Sequence, residues 1–524
     1  MLRHRSLTTI LWPLFVLNLL VHISAFNRPD FKKPVLKAAA RTFSVFPKPG
    51  GETDSRTGAR IEEVIGDLKT TIVLIEYGKE RLCFLTSPLR VEGGPISTET
   101  FNIANLNIAS RALIGKELNI TPDQVVAATS HNHNIPRIII KNPEAWGQEG
   151  DFPPEDESND LGREFLEKLF NAVRALDKDL KPVTVEWGIA RETRITYNRK
   201  GIRPDGRTYL IREEDRIELG ESYTGLIDPD AIVIVLRGRD GRPVTALTYF
   251  TGHPVTGYNP ERLVSYGQWP QVACEKLSIH LGGVPVGFFQ GCCGDINSKY
   301  MLSGTIEQAR EFGEYLGDTF IAATANLHTS DRTDFQWIRK KVEIPFGELP
   351  DSATLKHDLY SIDDFIRRGD AGDENTLECV GMNFPKALTP QYRARLVELV
   401  KPWHIWALEQ HRTGKTLEIP KSLPVEVVVA RIGDVGYVGM PFEPFVRTGL
   451  KIKKETPLPC VIPTGYTDGG FGYIPDSSGC NHREYMSGFY RYTGNRPPYR
   501  VPGGDAVAEA VIPVLTEFSI QKEN

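Results

Sequence analysis

The sequence has 524 residues, of which 40% are hydrophobic and 25% charged, and its formal net charge is −5. That balance belongs to a folded chain rather than a disordered one, and the length allows one large enzyme-sized domain with a deep core. Lys and Arg are interspersed with Asp and Glu and form no basic block, which excludes nucleic acid as the expected partner.

The first segment carries a targeting pattern. Arg3, His4 and Arg5 precede an apolar run from Ile10 to Val21, broken only by Pro13 and Asn18. Ile23-Ser24-Ala25 then supplies small residues where a signal peptidase cuts. The run falls short of the roughly 20 apolar residues that span a bilayer. Residues 1–25 are therefore expected as a cleaved signal peptide, with the mature chain secreted or periplasmic. A retained anchor over residues 8–25 is the alternative. Cys83, Cys274, Cys292, Cys293, Cys379, Cys460 and Cys480 are odd in number, which leaves a thiol unpaired in an exported protein. None forms a CxxC pair, so a thiolate zinc site is not indicated.

Residues 26–50 are rich in Pro, Lys and Gly and read as an extended lead-in to a domain over residues 51–524. Short β-branched runs predict strands at Thr71–Tyr77, Leu82–Thr86, Gln124–Thr129, Thr184–Ile189, Ala231–Leu236, Val244–Phe250, Val284–Phe289, Val425–Ile432 and Val435–Met440. Apolar residues at three- and four-residue steps predict helices at Thr100–Glu117, Gly162–Leu176, Trp269–Leu281, Thr305–Asn326, Pro390–Arg412, Phe445–Lys453 and Asp505–Phe518. This alternation argues for an α/β fold, a large single domain with mixed β-sheets flanked by helices. Asp351–Asp373 is polar and acidic and reads as an insertion or lid.

Four clusters of reactive residues each follow a predicted strand directly. They are Ser130-His131-Asn132-His133, Thr251-Gly252-His253-Pro254, Gln290-Gly291-Cys292-Cys293-Gly294-Asp295, and Pro441-Phe442-Glu443-Pro444. Open α/β sheets bind ligands at the carboxyl ends of their strands, so the four could meet in one cleft. His131 and His133, two apart in an extended segment, would point the same way and face one ion, or one would bind and the other touch substrate. His253 reads as a ligand or as a capped turn. Glu443, beside apolar residues, must be paired or metal-bound to stay ionised; the alternative partner is Arg447. The glycines of the Gln290–Asp295 turn leave backbone N–H groups free to hold an oxyanion. Cys292 or Cys293 could be nucleophilic if a base lowered the thiol pKa, though free cysteines are more often small buried apolar residues. The loop from Thr464 to Pro475 is glycine-rich and aromatic, and its Tyr473 reads as a phenolate ligand or a packed ring.

Taken in order, these motifs resemble the neutral/alkaline ceramidase family. The matching residues are His131 and His133, His253, Gln290 with Gly294-Asp295, Met440-Pro441-Phe442-Glu443, Gly472-Tyr473-Ile474, and Glu484-Tyr485. The resemblance implies zinc held by His131, His253, Glu443 and Tyr473, a donor set zinc accepts. It implies that His133 sits beside the metal as a proton shuttle or substrate contact. Arg199, in Tyr197-Asn198-Arg199, would then polarise a carbonyl or hold an anion.

Three features depart from that family: one is Asn134-Ile135-Pro136, where the family has Ser-Gly-Pro after the His-x-His pair. A serine that takes part in amide cleavage follows the Gln of the turn there, and Gly291 stands here. The family's C-terminal immunoglobulin-like domain has no expected counterpart. The resemblance thus implies a zinc-dependent hydrolase that cleaves an amide or ester bond by activated water, with a small or lipid-like N-acyl substrate and peripheral contact with membranes. A catalytically silent zinc-containing binding protein, or a metal-dependent lyase or phosphoesterase, are the competing expectations.

Overall fold

The computed structural model describes residues 34–50, 60–93, 104–141, 143, 146, 160–202, 208–219, 225–478, 483–500 and 502–520. The expected signal peptide and Cys480 lie outside these residues. Among the described residues no helix is long and apolar enough to cross a membrane.

Val35–Asn524 is one compact unit, built on two sheets. The larger contains β1 (Leu36–Val45), β2 (Leu68–Tyr77), β3 (Glu80–Ser87), β4 (Val125–Thr129), β5 (Lys181–Arg191), β6 (Asp230–Gly238), β7 (Pro243–Phe250) and β8 (Val286–Gln290). Their order is β8-β7-β6-β5-β1-β2-β3-β4, with the short strand His328–Thr329 alongside β5. The smaller sheet contains β9 (Phe335–Pro345), β10 (Ser422–Ile432), β11 (Val435–Gly439) and β12 (Cys460–Thr464), in that order. Three neighbouring pairs are parallel: β3 with β4, β7 with β8, and β11 with β12.

Strand alternation builds the layers, because successive side chains face opposite sides of a sheet. In β3, Leu82 and Phe84 join the core between the two sheets, whereas Cys83 and Leu85 join a core under helices α1 (Ala104–Leu118) and α2 (Asp160–Asp179). In β6, Ile232, Ile234 and Leu236 face inward, while Ala231, Val233 and Val235 pack under α3 (Gln268–His280) and α4 (Ile306–Thr324). In β10, Val428, Ala430 and Ile432 meet the large sheet, and Val425, Val427 and Val429 face the C-terminal helix Gly503–Ser519. The large sheet curls until its edge strand β8 meets β2 and β3. Thr71 donates to the Val286 carbonyl at 3.0 Å, and the Phe84 and Phe289 rings lie 5.5 Å apart. All nine predicted strands are present within a few residues.

The elements differ from the sequence reading at several places. Leu36–Val45 is extended but lies inside the sheet, where Leu36, Ala38, Ala39 and Val45 are buried, so the compact unit begins ahead of residue 51. The Pro390–Arg412 helix is two helices, Pro390–Glu398 and Lys401–Thr413. Pro402 separates them, since its ring would clash with the Glu398 carbonyl in one continuous helix. Asp351–Asp373 is largely regular. Ser352–Asp370 is a helix whose N-cap Asp351 accepts the Thr354 N–H at 2.8 Å. Strands β9 and β12 were missed, the first because three basic residues mask its pattern, the second because Pro463 argues against a strand except at an edge, which is where β12 lies.

The Ser352–Asp370 helix anchors its neighbours through Asp358, which is buried. Burial alone would raise its pKa, but His404 at 3.7 Å and Arg483 at 2.8 Å hold it down at about 2. A carboxylate with a depressed folded pKa stabilises above its unfolded value, ~3.9, and that contribution is lost as pH falls toward the folded value. Acid is therefore expected to remove about 1–2 kcal/mol as pH drops from roughly 4 to roughly 2. Urea midpoints measured across that range should show the loss in the natural protein and lack it in Asp358→Asn.

Candidate metal centre

The three parallel strand pairs end together. Hydrogen bonds tie their exits into one floor: the Gly465 N–H donates to Gln290 O at 3.0 Å, Thr129 to Tyr466 O at 3.1 Å, and Tyr466 to Phe442 O at 2.9 Å. Four of the exit loops deliver candidate groups: His131 and His133 after β4, His253 after β7, Glu443 after β11, and Tyr466 and Tyr473 after β12.

The imidazoles converge. The ligating nitrogens of His131, His133 and His253 all lie within 4.8 Å of one another. The Nε2 atoms of His131 and His133 are 3.3 Å apart, and Glu443 Oε2 is 3.4 Å from His131 Nε2 and 3.3 Å from His253 Nε2. Two donors bound at about 2.05 Å with tetrahedral angles stand about 3.3 Å apart. The spacing therefore fits a small divalent ion, and this group could hold one.

His131 and His133 reach this arrangement by a different route from a straight strand. His131 has φ of +60°, a left-handed backbone that costs a non-glycine residue roughly 1–2 kcal/mol. The turn swings its ring against that of Tyr466, 4.2 Å away, and toward His253, 4.8 Å away. Strain of this kind persists where the surroundings impose it.

Proton positions follow from the partners. His253 Nδ1 lies 3.0 Å from the Ile296 carbonyl, which can only accept, so Nδ1 carries the proton and Nε2 presents a lone pair. Burial, and the Arg199 charge next, push the His253 pKa down and keep the ring neutral. Burial also opposes ionisation of Glu443, yet the His253 contact and the Arg199 and Arg90 charges hold its pKa below the usual carboxylate range. Between that carboxylate oxygen and His253 Nε2, 3.3 Å apart, either a proton on the imidazole or a bound cation makes the contact favourable.

Arg199 and Tyr473 form a second pair beside the histidines. Arg199 Nη2 donates to the Tyr473 hydroxyl at 2.9 Å and to Gly294 O at 2.7 Å, and lies 3.5 Å from His253 Nε2. Burial pushes the Tyr473 phenol well above its usual range, so it is a neutral acceptor here. Glu443 and Tyr473 are neighbours in a two-residue parallel pairing. Asp295 braces this side: its carbonyl accepts the Arg199 N–H at 2.8 Å, and its carboxylate accepts the Val446 N–H at 2.7 Å, just past Glu443.

The glycine-bounded turn differs from expectation. The Gly291 N–H donates to Phe250 O at 2.9 Å and the Gly294 N–H to Pro444 O at 2.8 Å, so neither is free for an oxyanion or a phosphate. Cys292 faces away, into the apolar cluster of Val438, Met440 and Ile452, where its thiol donates to Pro463 O at 3.4 Å. Burial pushes its pKa well up, the opposite of what a nucleophile needs. Cys292→Ala is accordingly expected to leave metal content and turnover unchanged, at a stability cost of about 1 kcal/mol; loss of turnover with metal retained would place the nucleophile on that thiol. Cys293 contacts the Tyr466 hydroxyl at 3.0 Å and is buried too.

Sequence reasoning did not single out Tyr466, Tyr258 or Arg90. Tyr466 lies under His131, Tyr258 lies 5.0 Å from the His133 ring, and Arg90 lowers the Glu443 pKa. The available signal was position: Arg90 follows β3, the partner of the strand that feeds His131.

A two-sheet α/β scaffold with a buried histidine and carboxylate group at the carboxyl ends of its parallel strands is what fold and site define. No protein-family model matches the chain, and no curated protein matches it either. Its fold is similar to the crystal structure of neutral ceramidase from Pseudomonas aeruginosa, with TM-score 0.55, 12% identity, and 94% of this chain and 76% of that chain covered. It is similar also to a ceramidase complexed with C2, with TM-score 0.58, 13% identity, and 93% and 75% covered. At such identity the shared property is the fold.

Proposed function

We propose that this chain is an exported, zinc-dependent hydrolase that cleaves an amide or ester bond in a small or lipid-like N-acyl substrate. The observation that carries this reading is the meeting of His131, His133, His253 and Glu443 at ligand spacing. The ceramidase-like fold supports the choice of a carbonyl substrate. His131, His253, Glu443 and Tyr473 would hold the ion, with His133 beside it. Zinc supplies acidity, since water beside it ionises near pH 7 rather than at 15.7. His133, half-buried at the edge of the group, relays the proton to the leaving nitrogen or oxygen. Arg199, a buried cation already aimed across the site, holds the carbonyl oxygen as charge develops on it. With Gly291 in the turn, attack falls to water rather than to a serine. A lipid-like substrate would bring the protein against membrane surfaces from the exported side.

The test is metal analysis of the purified protein, with anomalous scattering to locate the ligands, and a screen against ceramides, N-acyl amino acids and simple esters. About one equivalent of zinc and chelator-sensitive turnover of at least one substrate are expected. A folded protein that holds zinc but turns over nothing would instead be a binding protein, and one that holds no metal would end the metal reading.

A further inference from the structure

Gln290 closes strand β8 and is fully buried, so its amide must find its partners inside the protein. Its Nε2 donates to Ser130 O at 2.8 Å and to Gly252 O at 2.8 Å, and its Oε1 accepts the Gly252 N–H at 3.2 Å. Ser130 immediately precedes His131, and Gly252 immediately precedes His253. One planar amide therefore spans the two turns that carry two of the converging imidazoles.

We infer that Gln290 is a positioning residue, which ties the His131 turn to the His253 turn and thereby sets the spacing of the two rings. The chemistry is specific to an amide. Two N–H groups serve two carbonyls while the oxygen serves an N–H, and no other side chain of that size and shape offers this set. A glutamate would keep the Gly252 contact but set an anion against two carbonyl oxygens, and a leucine would leave all three backbone groups unpaired. The left-handed backbone at His131 makes that turn dependent on outside restraint. The His131 N–H donates to Thr129 Oγ1 at 3.2 Å, and the His253 N–H to Ile296 O at 2.9 Å. Both amide protons are thus protected and can report on the link. The effect on metal rests on the reading proposed above, whereas the link between the turns does not. Partners that orient metal ligands typically contribute 10–100-fold in affinity.

The experiment compares the full-length natural protein with Gln290→Glu, Gln290→Leu and, as a control for lost stability, Leu316→Ala in the helical layer. Amide hydrogen exchange is measured on the metal-free proteins, and Co2+ is then titrated for affinity and visible spectrum. Both Gln290 variants should speed exchange at His131 and His253 together, weaken Co2+ binding 10–100-fold, and shift the cobalt spectrum. Leu316→Ala should lower the melting temperature and leave all three readouts alone. Unchanged exchange at either turn in both Gln290 variants overturns the inference, as does a matching response from Leu316→Ala. If the natural protein takes up neither Co2+ nor Zn2+, the metal reading fails, and the exchange data alone decide the role of Gln290.

Discussion

On the function proposed above, Glu443→Ala is expected to give a protein that binds no divalent metal and hydrolyses no substrate. Its Oε2 lies within 3.4 Å of two imidazole nitrogens, and it is the only carboxylate that close to them among the described residues. Arg199 Nη2 lies 3.5 Å from the same His253 Nε2. Without the carboxylate, a divalent ion would enter a buried space beside a guanidinium with no anion to balance it. Breaking a buried charge pairing from one side costs about 3–5 kcal/mol, or roughly two to three and a half decades in affinity. Glu443→Gln keeps the shape without the charge and should lose most of the same affinity. Metal content by mass spectrometry, set beside turnover, checks both variants. Turnover that survives in a metal-free Glu443→Ala would sink the mechanism.

The second large effect concerns Gly291. A Cβ placed there would meet Thr251 Oγ1 at 2.1 Å and the Tyr249 hydroxyl at 2.8 Å. Those hydroxyls belong to a buried network: Thr251 donates to Tyr249 at 3.1 Å, Tyr249 to Asp228 at 2.8 Å, and Lys453 lies 2.7 Å from Asp228 and 3.1 Å from Asp230. Gly291→Ser must displace them. Overpacking alone costs about 1–3 kcal/mol, and a disturbed buried ion pair adds to it, since breaking one outright costs about 3–5 kcal/mol. The variant is expected to lose about 3 kcal/mol or more, read from the denaturant midpoint at unchanged slope, and to gain no activity from the new hydroxyl. Adding Thr251→Gly should return part of the loss. A Gly291→Ser protein as stable as the natural one would mean that the network yields freely and that the site does have room for a serine.

How much of this was legible follows from the range of each interaction. The strands were visible because β-branched runs bounded by turn residues are a local signal, and so was the placement of His131, His253 and Glu443 just past strand ends. The break at Pro402 was written in the sequence as well but was outweighed by the apolar periodicity around it. Strand β1 was hidden because Leu36–Val45 mixes alanines with Lys37 and Arg41 and takes its burial from neighbours on both sides. Cys292 and Cys293 look equivalent in sequence, yet only the packing shows that both thiols are enclosed and that Cys292 faces the far cluster.

By itself, the sequence determined the α/β alternation and the order in which histidines, carboxylate and tyrosine appear at strand exits, because side-chain period and turn chemistry act within a few residues. Only the tertiary structure decided which of these groups meet. Glu443 reaches His253 across 190 residues and Arg199 reaches Tyr473 across 274, contacts fixed by how two sheets pack rather than by any local pattern. The same packing turned His131 left-handed, tied the Gly291 and Gly294 N–H groups to backbone carbonyls and filled the space at Gly291. Close-packed interiors leave each buried atom one place to go, and that place is set by neighbours distant in the chain.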